Sequence, residues 1–189
     1  MKKYELTAEF IKKWGKKLFR IKALISFGSV EAGELGGYVE KEDNLAQNGD
    51  AWVYGNAWVY GNAEVYGNAE VYGNARVYGN AWVYGNARVY GNAEVCGNAR
   101  VYGNADYLLI GRIGSRFSFT TFFKNKDKGI TVSCGCFLGT IAEFRAKVTD
   151  THGNNKHAKM YNLAADMAEL QILGEEHFDK LNTNKSEPF

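Results

Sequence analysis

The residues best suited to chemistry in this chain are two cysteines and two histidines. Cys134-Gly-Cys136 puts two thiols on one face of a predicted strand, and His152 and His157 follow a short distance on. Four soft ligands of this kind can hold zinc in a tetrahedral site. Zinc modules, however, favour two or more residues between paired cysteines, and a buried cysteine is commonly a small core residue. A thiol nucleophile with a histidine base is the other chemistry on offer, but nothing in the spacing fixes their geometry. GRIGSR at 111–116 is glycine-rich, yet it lacks the glycine spacing and following helix of a phosphate loop, and it reads as a turn. The sequence therefore predicts no catalytic residue, no metal ligand and no cofactor. The alternative left open is a ligand-binding or enzymatic site around Cys134, Cys136, His152 and His157.

The elements around those residues form a predicted C-terminal α+β module over 106–176, with three strands and two helices. Segments 107–113, 117–124 and 129–137 read as strands, with KNKDKG as a hairpin turn. Thr140 with Glu143 has the capping-box pattern and opens a helix to about Val148. A second helix is expected over 155–173, capped by Asn154 or Asn155. Residues 177–189 read as a polar tail. At the other end, residues 1–42 read as an N-terminal capping segment: a short basic helix, a strand over 18–27 and a glycine-rich turn region.

Between these ends lies an internal repeat, the feature with most bearing on fold. From Ala51 the chain runs AWVYGN, AWVYGN, AEVYGN, AEVYGN, ARVYGN, AWVYGN, ARVYGN, AEVCGN, ARVYGN, nine hexads in all. A period of six fits neither a helix at about 3.6 residues per turn nor a heptad. Valine and tyrosine favour extended backbone, and Gly-Asn supplies a corner because both residues tolerate positive φ. Each hexad is then one short strand and one bend. Residues 43–50 look like a degenerate opening coil, with Val39, Leu45 and Ala51 on one inward line, so the β-helix is placed at 43–105.

Val53 with Ala57, Val59 with Ala63, and so on to Val101 with Ala105, resemble the hexapeptide-repeat superfamily. The resemblance implies a left-handed parallel β-helix of triangular section with three hexads per coil. The expected fold class is mainly β: about three to four coils, capped by an N-terminal α/β segment and the C-terminal α+β module. Within that superfamily, FGSVEAGELGGYVEKEDNLAQNGDAWVYGNA and the C-terminal IGRIGSRFSFTTFF, VSCGCFLGTIAEFRAKV and THGNNKHAKMYNLA resemble uncharacterised repeat proteins of phages and prophages. Acyltransferases share the hexads but rely on a catalytic histidine and on loops that interrupt the coils. Here the coils are uninterrupted and hold no histidine.

With 18 residues per coil, the variable position is expected to stack as three ladders: Trp52–Glu70–Arg88, Trp58–Arg76–Glu94 and Glu64–Trp82–Arg100. Three tryptophans and eight tyrosines on outward positions would form apolar patches larger than most monomers leave open. Tyrosine, tryptophan and arginine also dominate interface hot spots. The expected function is a non-enzymatic binding or scaffold protein that self-associates, or binds and inhibits a protein partner. The contact residues expected are Trp52, Tyr54, Trp58, Tyr60, Arg76, Trp82, Tyr84, Arg88 and Arg100.

Charge narrows the partners. The hexads hold three Glu and three Arg, so the repeat has neither the positive groove nor the negative field that nucleic-acid binding or mimicry needs. Residues 1–22 carry eight Lys/Arg against two Glu, which leaves nucleic acid open for that segment alone. No stretch reaches the roughly 20 apolar residues of a membrane span, and no apolar signal-peptide core is present. With three cysteines, an odd number, a reducing cytoplasm is the expected location.

Overall fold

The computed structural model describes residues 1–177. The predicted polar tail lies, beyond His177, outside the described residues. The chain divides into two compact units, Met1–Asn104 and Ala105–Phe189.

The first unit is a β-solenoid opened by three longer strands: β1 (Tyr4–Lys13), β2 (Lys16–Ala23) and β3 (Leu35–Val39). Strands β4 to β12 are the two-residue pieces Trp52–Val53, Trp58–Val59, Glu64–Val65, Glu70–Val71, Arg76–Val77, Trp82–Val83, Arg88–Val89, Glu94–Val95 and Arg100–Val101. They stack as three parallel sheets: β3-β5-β8-β11, β4-β7-β10 and β6-β9-β12. The inward valines from Val53 to Val101, and the alanines from Ala51 to Ala99, are fully buried. Each strand is too short to hold itself. The coil above satisfies its backbone instead, as in Trp58 N–H to Ala75 O at 2.9 Å and Tyr60 N–H to Val77 O at 3.0 Å.

Two sequence expectations fail in the opening segment. The predicted short helix is instead half of the antiparallel β1–β2 hairpin, in which Lys13 pairs with Lys16 across a two-residue turn. Trp14 and Gly15 both have positive φ, 49° and 76°, the backbone that matches the twist of a hairpin. The hairpin continues through β3 into the sheet of β5, β8 and β11.

The inward line also differs. Val39 aligns with Val59 and Leu45 with Val65, each pair 20 residues apart, while Val53 aligns with Val71 at the regular 18. The opening coil thus holds two extra residues. Ala51 sits at the small-residue position, its N–H on Gly67 O at 2.9 Å.

Side chains close this first edge, where no preceding coil exists to pair the backbone. Lys3 Nζ donates to the Gly49 and Ala51 carbonyls at 3.2 and 2.9 Å. Asn44 Nδ2 donates to Gly61 O and Ala63 O at 3.1 and 2.8 Å. The Glu40 carboxylate accepts from Gly61 N–H at 2.7 Å and pairs with Lys16 at 2.6 Å.

The second unit is an antiparallel sheet of four strands rather than the three expected: β13 (Tyr107–Ile113), β14 (Ser118–Lys124), β15 (Ile130–Cys134) and β16 (Phe137–Thr140). The predicted strand over 129–137 breaks because Gly135, at φ 62°, turns the chain back and pairs Cys134 with Phe137. Helices α1 (Ile141–His152) and α2 (Lys156–Leu173) lie on the sheet. Phe122, Ile130 and Val132 pack there against Phe144, Val148, Tyr161 and the α2 alanines. Both predicted caps form. Thr140 Oγ1 accepts from Glu143 N–H while Glu143 accepts from Thr140 N–H, and of the two asparagines proposed it is Asn155 that caps α2. Arg145 Nη2 ties the helices together through Asp166 and Glu169, each at 2.7 Å.

Candidate functional site

The repeat places its variable residues in the expected registers, and the neighbours interact. Arg76 pairs with Glu94 at 2.6 Å and Arg88 with Glu70 at 3.1 Å. The Arg100 guanidinium lies 3.9 Å from the Trp82 ring centroid, and that of Arg76 5.9 Å from Trp58. Tyrosines stack coil on coil: Tyr60 on Tyr78 at 5.0 Å, Tyr66 on Tyr84 at 5.1 Å and Tyr72 on Tyr90 at 5.4 Å. Such neighbours contribute a few tenths to about 1 kcal/mol each. Burial pushes the Tyr60 phenol up to about 12, against an opposing pull from Arg76. Burial also raises Tyr78, helped by its hydrogen bond to Cys96.

The three faces are not equivalent, because the opening segment packs over the first-coil tryptophans of two of them. Trp52 has no exposed surface. It lies edge-on to Tyr4 at 6.0 Å and to Phe27 at 5.4 Å, so the expectation that Trp52 contacts a partner is corrected: it is core. Trp58 meets Trp14 at 5.8 Å, with Lys13 Nζ 5.4 Å above it. Tyr60 is sandwiched between Trp14 and Tyr78. Tyr54 shares a 3.1 Å hydrogen bond with Ser29. Trp82, by contrast, is 37% exposed and Tyr102 is 61% exposed. On the β6-β9-β12 face, Tyr66, Trp82, Tyr84, Arg100 and Tyr102 form one continuous aromatic patch. Tyr90, 49% exposed, stands beside Arg88 on the next corner. The covering residues Tyr4 and Trp14 were missed by reading their segment as a helix, and Phe27 lay at the end of the strand expected over 18–27. The signal available was the Trp14-Gly15 dipeptide between alternating apolar residues.

The basic charge of that segment is largely engaged within the unit. Lys2 pairs with Glu42 and Lys16 with Glu40, Lys3 holds two carbonyls, and Lys13, Lys17 and Arg20 lie over aromatic rings.

The second unit contains a cavity of about 200 Å³. Cys134, Cys136 and His152 line it together, with Arg116, Lys147 and Tyr161. His157 stands behind, its ring 5.8 Å from His152. Thr120 Oγ1 donates to Cys134 Sγ at 3.2 Å, and the His152 ring stacks on Tyr161 at 5.7 Å. Burial, then Cys134, holds the Tyr161 phenol above its usual value, with Arg116 acting the other way. A β-carbon at Gly114 would collide with the Tyr161 hydroxyl, which is why the GRIGSR turn carries glycine there. The turn reading of that motif holds for residues 114–116, while 111–113 belong to β13, and it overlooked Arg116 as a lining residue. Among the described residues, no three of His, Cys, Asp and Glu come together as a metal-holding group. The two thiols differ in exposure: Cys134 is half-buried and Cys136 exposed.

A family model described as the YdcK beta solenoid repeat matches residues 69–85 and 81–97. The match concerns the repeat, and with the three parallel sheets it makes this chain a β-solenoid repeat protein. No curated protein matches the chain. Among the described residues no helix is long and apolar enough to cross a membrane.

Proposed function

We propose that this β-solenoid repeat protein is a non-enzymatic binding scaffold whose open β6-β9-β12 face docks onto a protein partner or a second copy of the chain. The observation that carries the reading is the contrast between tryptophans. The chain's own opening segment buries Trp52 and packs on Trp58, while Trp82 and Tyr102 are exposed beside half-buried Tyr84 and Arg100. Exposed Trp and Tyr with Arg beside them are the composition of an interface centre rather than of ordinary surface. The repeat's balance of three Glu and three Arg favours a protein surface over a polyanion. On this reading the coils are of the hexapeptide-repeat, left-handed kind, in which trimers bury such faces. The likeness of both ends to phage and prophage repeat proteins points to a host or viral protein as the partner, held or inhibited in the cytoplasm.

The test is a double replacement, Trp82→Thr with Tyr102→Thr, which keeps β-compatible side chains. Native mass spectrometry should give an oligomer or partner complex for the parent chain and free monomer for the variant, with unchanged circular dichroism. Identical masses and identical capture profiles for the two proteins would sink the proposal.

A further inference from the structure

The cavity of the second unit has a chemical character of its own, independent of the solenoid face. Its charged lining is of one sign. Arg116, Lys147 and His152 face it, and neither Asp nor Glu does. Lys147 has only an exposed pairing with Asp150, at 2.9 Å and with side chains 62% and 72% exposed, a kind of pair worth little. Arg116 is exposed and forms no ion pair among the described residues. Its fork of donors is suited to a two-oxygen anion.

The rest of the wall is apolar and flat-sided: Phe137, Phe144 and Val148, with the Tyr161 ring. Ser115, Ser118 and Thr151 add hydroxyls. Drug-sized sites occupy roughly 300–1,000 Å³, so a cavity of about 200 Å³ suits something smaller. Cations beside an aromatic wall, in a space of that size, select a ligand with one anionic head and one compact apolar body.

We infer that the Cys134–Cys136 cavity is a binding site for a small organic anion. Its carboxylate or phosphoryl head lies at Arg116 and Lys147, and its ring-sized apolar body lies against Phe137, Phe144 and Tyr161. The exposed thiol of Cys136 stands in the lining of this site and serves as its reporter.

The experiment uses the full chain and four probes: benzoate, phenyl phosphate, benzylamine and benzyl alcohol. Binding is read by ligand-observed NMR, and occupancy by mass-spectrometric rates of Cys136 alkylation with iodoacetamide. Buried Cys96, which lies in the other unit, serves as the internal reference. At least one anionic probe should slow Cys136 alkylation and bind about tenfold or more tightly than the cationic and neutral probes. Which anion binds better distinguishes a carboxylate from a phosphoryl head. Replacing exposed Arg116→Gln, alone and with Lys147→Gln, should weaken that anion about tenfold or more with melting unchanged. Equal protection by benzylamine, no protection by either anion, or anion affinity kept within about twofold in the double variant would each overturn the assignment.

Discussion

Tyr4 meets Trp52 edge to face, with ring centroids 6.0 Å apart, and its hydroxyl lies 2.7 Å from the Leu45 carbonyl. One residue of the first strand thus seals an aromatic residue of the repeat and closes the open edge of the first coil. Repeat position alone therefore does not decide what a tryptophan does. Trp52→Ala should cost about 3–5 kcal/mol, the range for a buried aromatic. Trp82→Ala should cost about 1–2 kcal/mol, since it loses a cation–π contact to Arg100 and an edge contact to Tyr66 at a partly exposed site. Urea unfolding of the two variants checks the difference.

The corners make a second contrast. Gly79 has φ 75°, and a β-carbon there would lie 2.9 Å from Gly97 N, whereas Gly55, at φ 56°, has nothing within 4 Å. Gly55→Ala should cost about 1–2 kcal/mol through left-handed backbone alone. Gly79→Ala should cost more, because coil-to-coil packing must also give. Thermal melting of the two variants separates the contributions.

Lys3 gives a pH signature. Burial lowers its value from 10.5 to about 8, partly opposed by Asp50. Between those values the unfolded chain holds more protons than the folded one, so stability rises with pH across that window. The contribution is complete above 10.5 and lost as pH falls through about 8. Lys3→Met should remove this slope from urea midpoints measured across the window, whatever constant offset it adds.

The tyrosines act in the opposite sense at higher pH. Burial raises Tyr4 and Tyr78, and pushes Tyr60 up to about 12. A phenol raised on folding contributes stability that is whole below its unfolded value of about 10 and lost as pH rises through the folded value. Tyrosinate absorbance should therefore lag that of free tyrosine and then rise together with unfolding. Tyr60→Phe and Tyr78→Phe should each shift that transition to higher pH.

The cap of α1 is testable by itself. Thr140 Oγ1 accepts from Glu143 N–H at 3.2 Å, and Glu143 accepts in return from Thr140 N–H at 2.8 Å. Thr140→Ala should cost about 1 kcal/mol, measured as a lower thermal midpoint for the second unit.

Much of the fold was legible because a hexad is a local rule repeated. Val77 turns inward for the same steric reason as Val71 and Val83, so the strand and bend of each hexad followed from spacing, while the 18-residue register and the Arg76–Glu94 pair followed from the three hexads per coil that the hexapeptide-repeat resemblance implies. The Thr140 capping box, and a cap of α2 at Asn154 or Asn155, were legible for a similar reason, since each is a contact across three residues or fewer. The candidate cavity was legible only in part. Cys134, Cys136 and His152 stood out by residue type. Arg116 and Tyr161 belong to a turn and a helix face that meet only when β13, β14 and α2 assemble.

Sequence by itself determined the solenoid, its ladders and the caps of the second unit, all governed by backbone preference and contacts at fixed separation. Tertiary structure decided which ladder residues remain open. Trp52 and Trp82 occupy the same hexad position with the same neighbours in sequence. One is core and the other surface because Tyr4 and Phe27, dozens of residues upstream of one and absent from the other, fold over the first coil. Burial is set by whatever the rest of the chain brings alongside, and no local pattern encodes that.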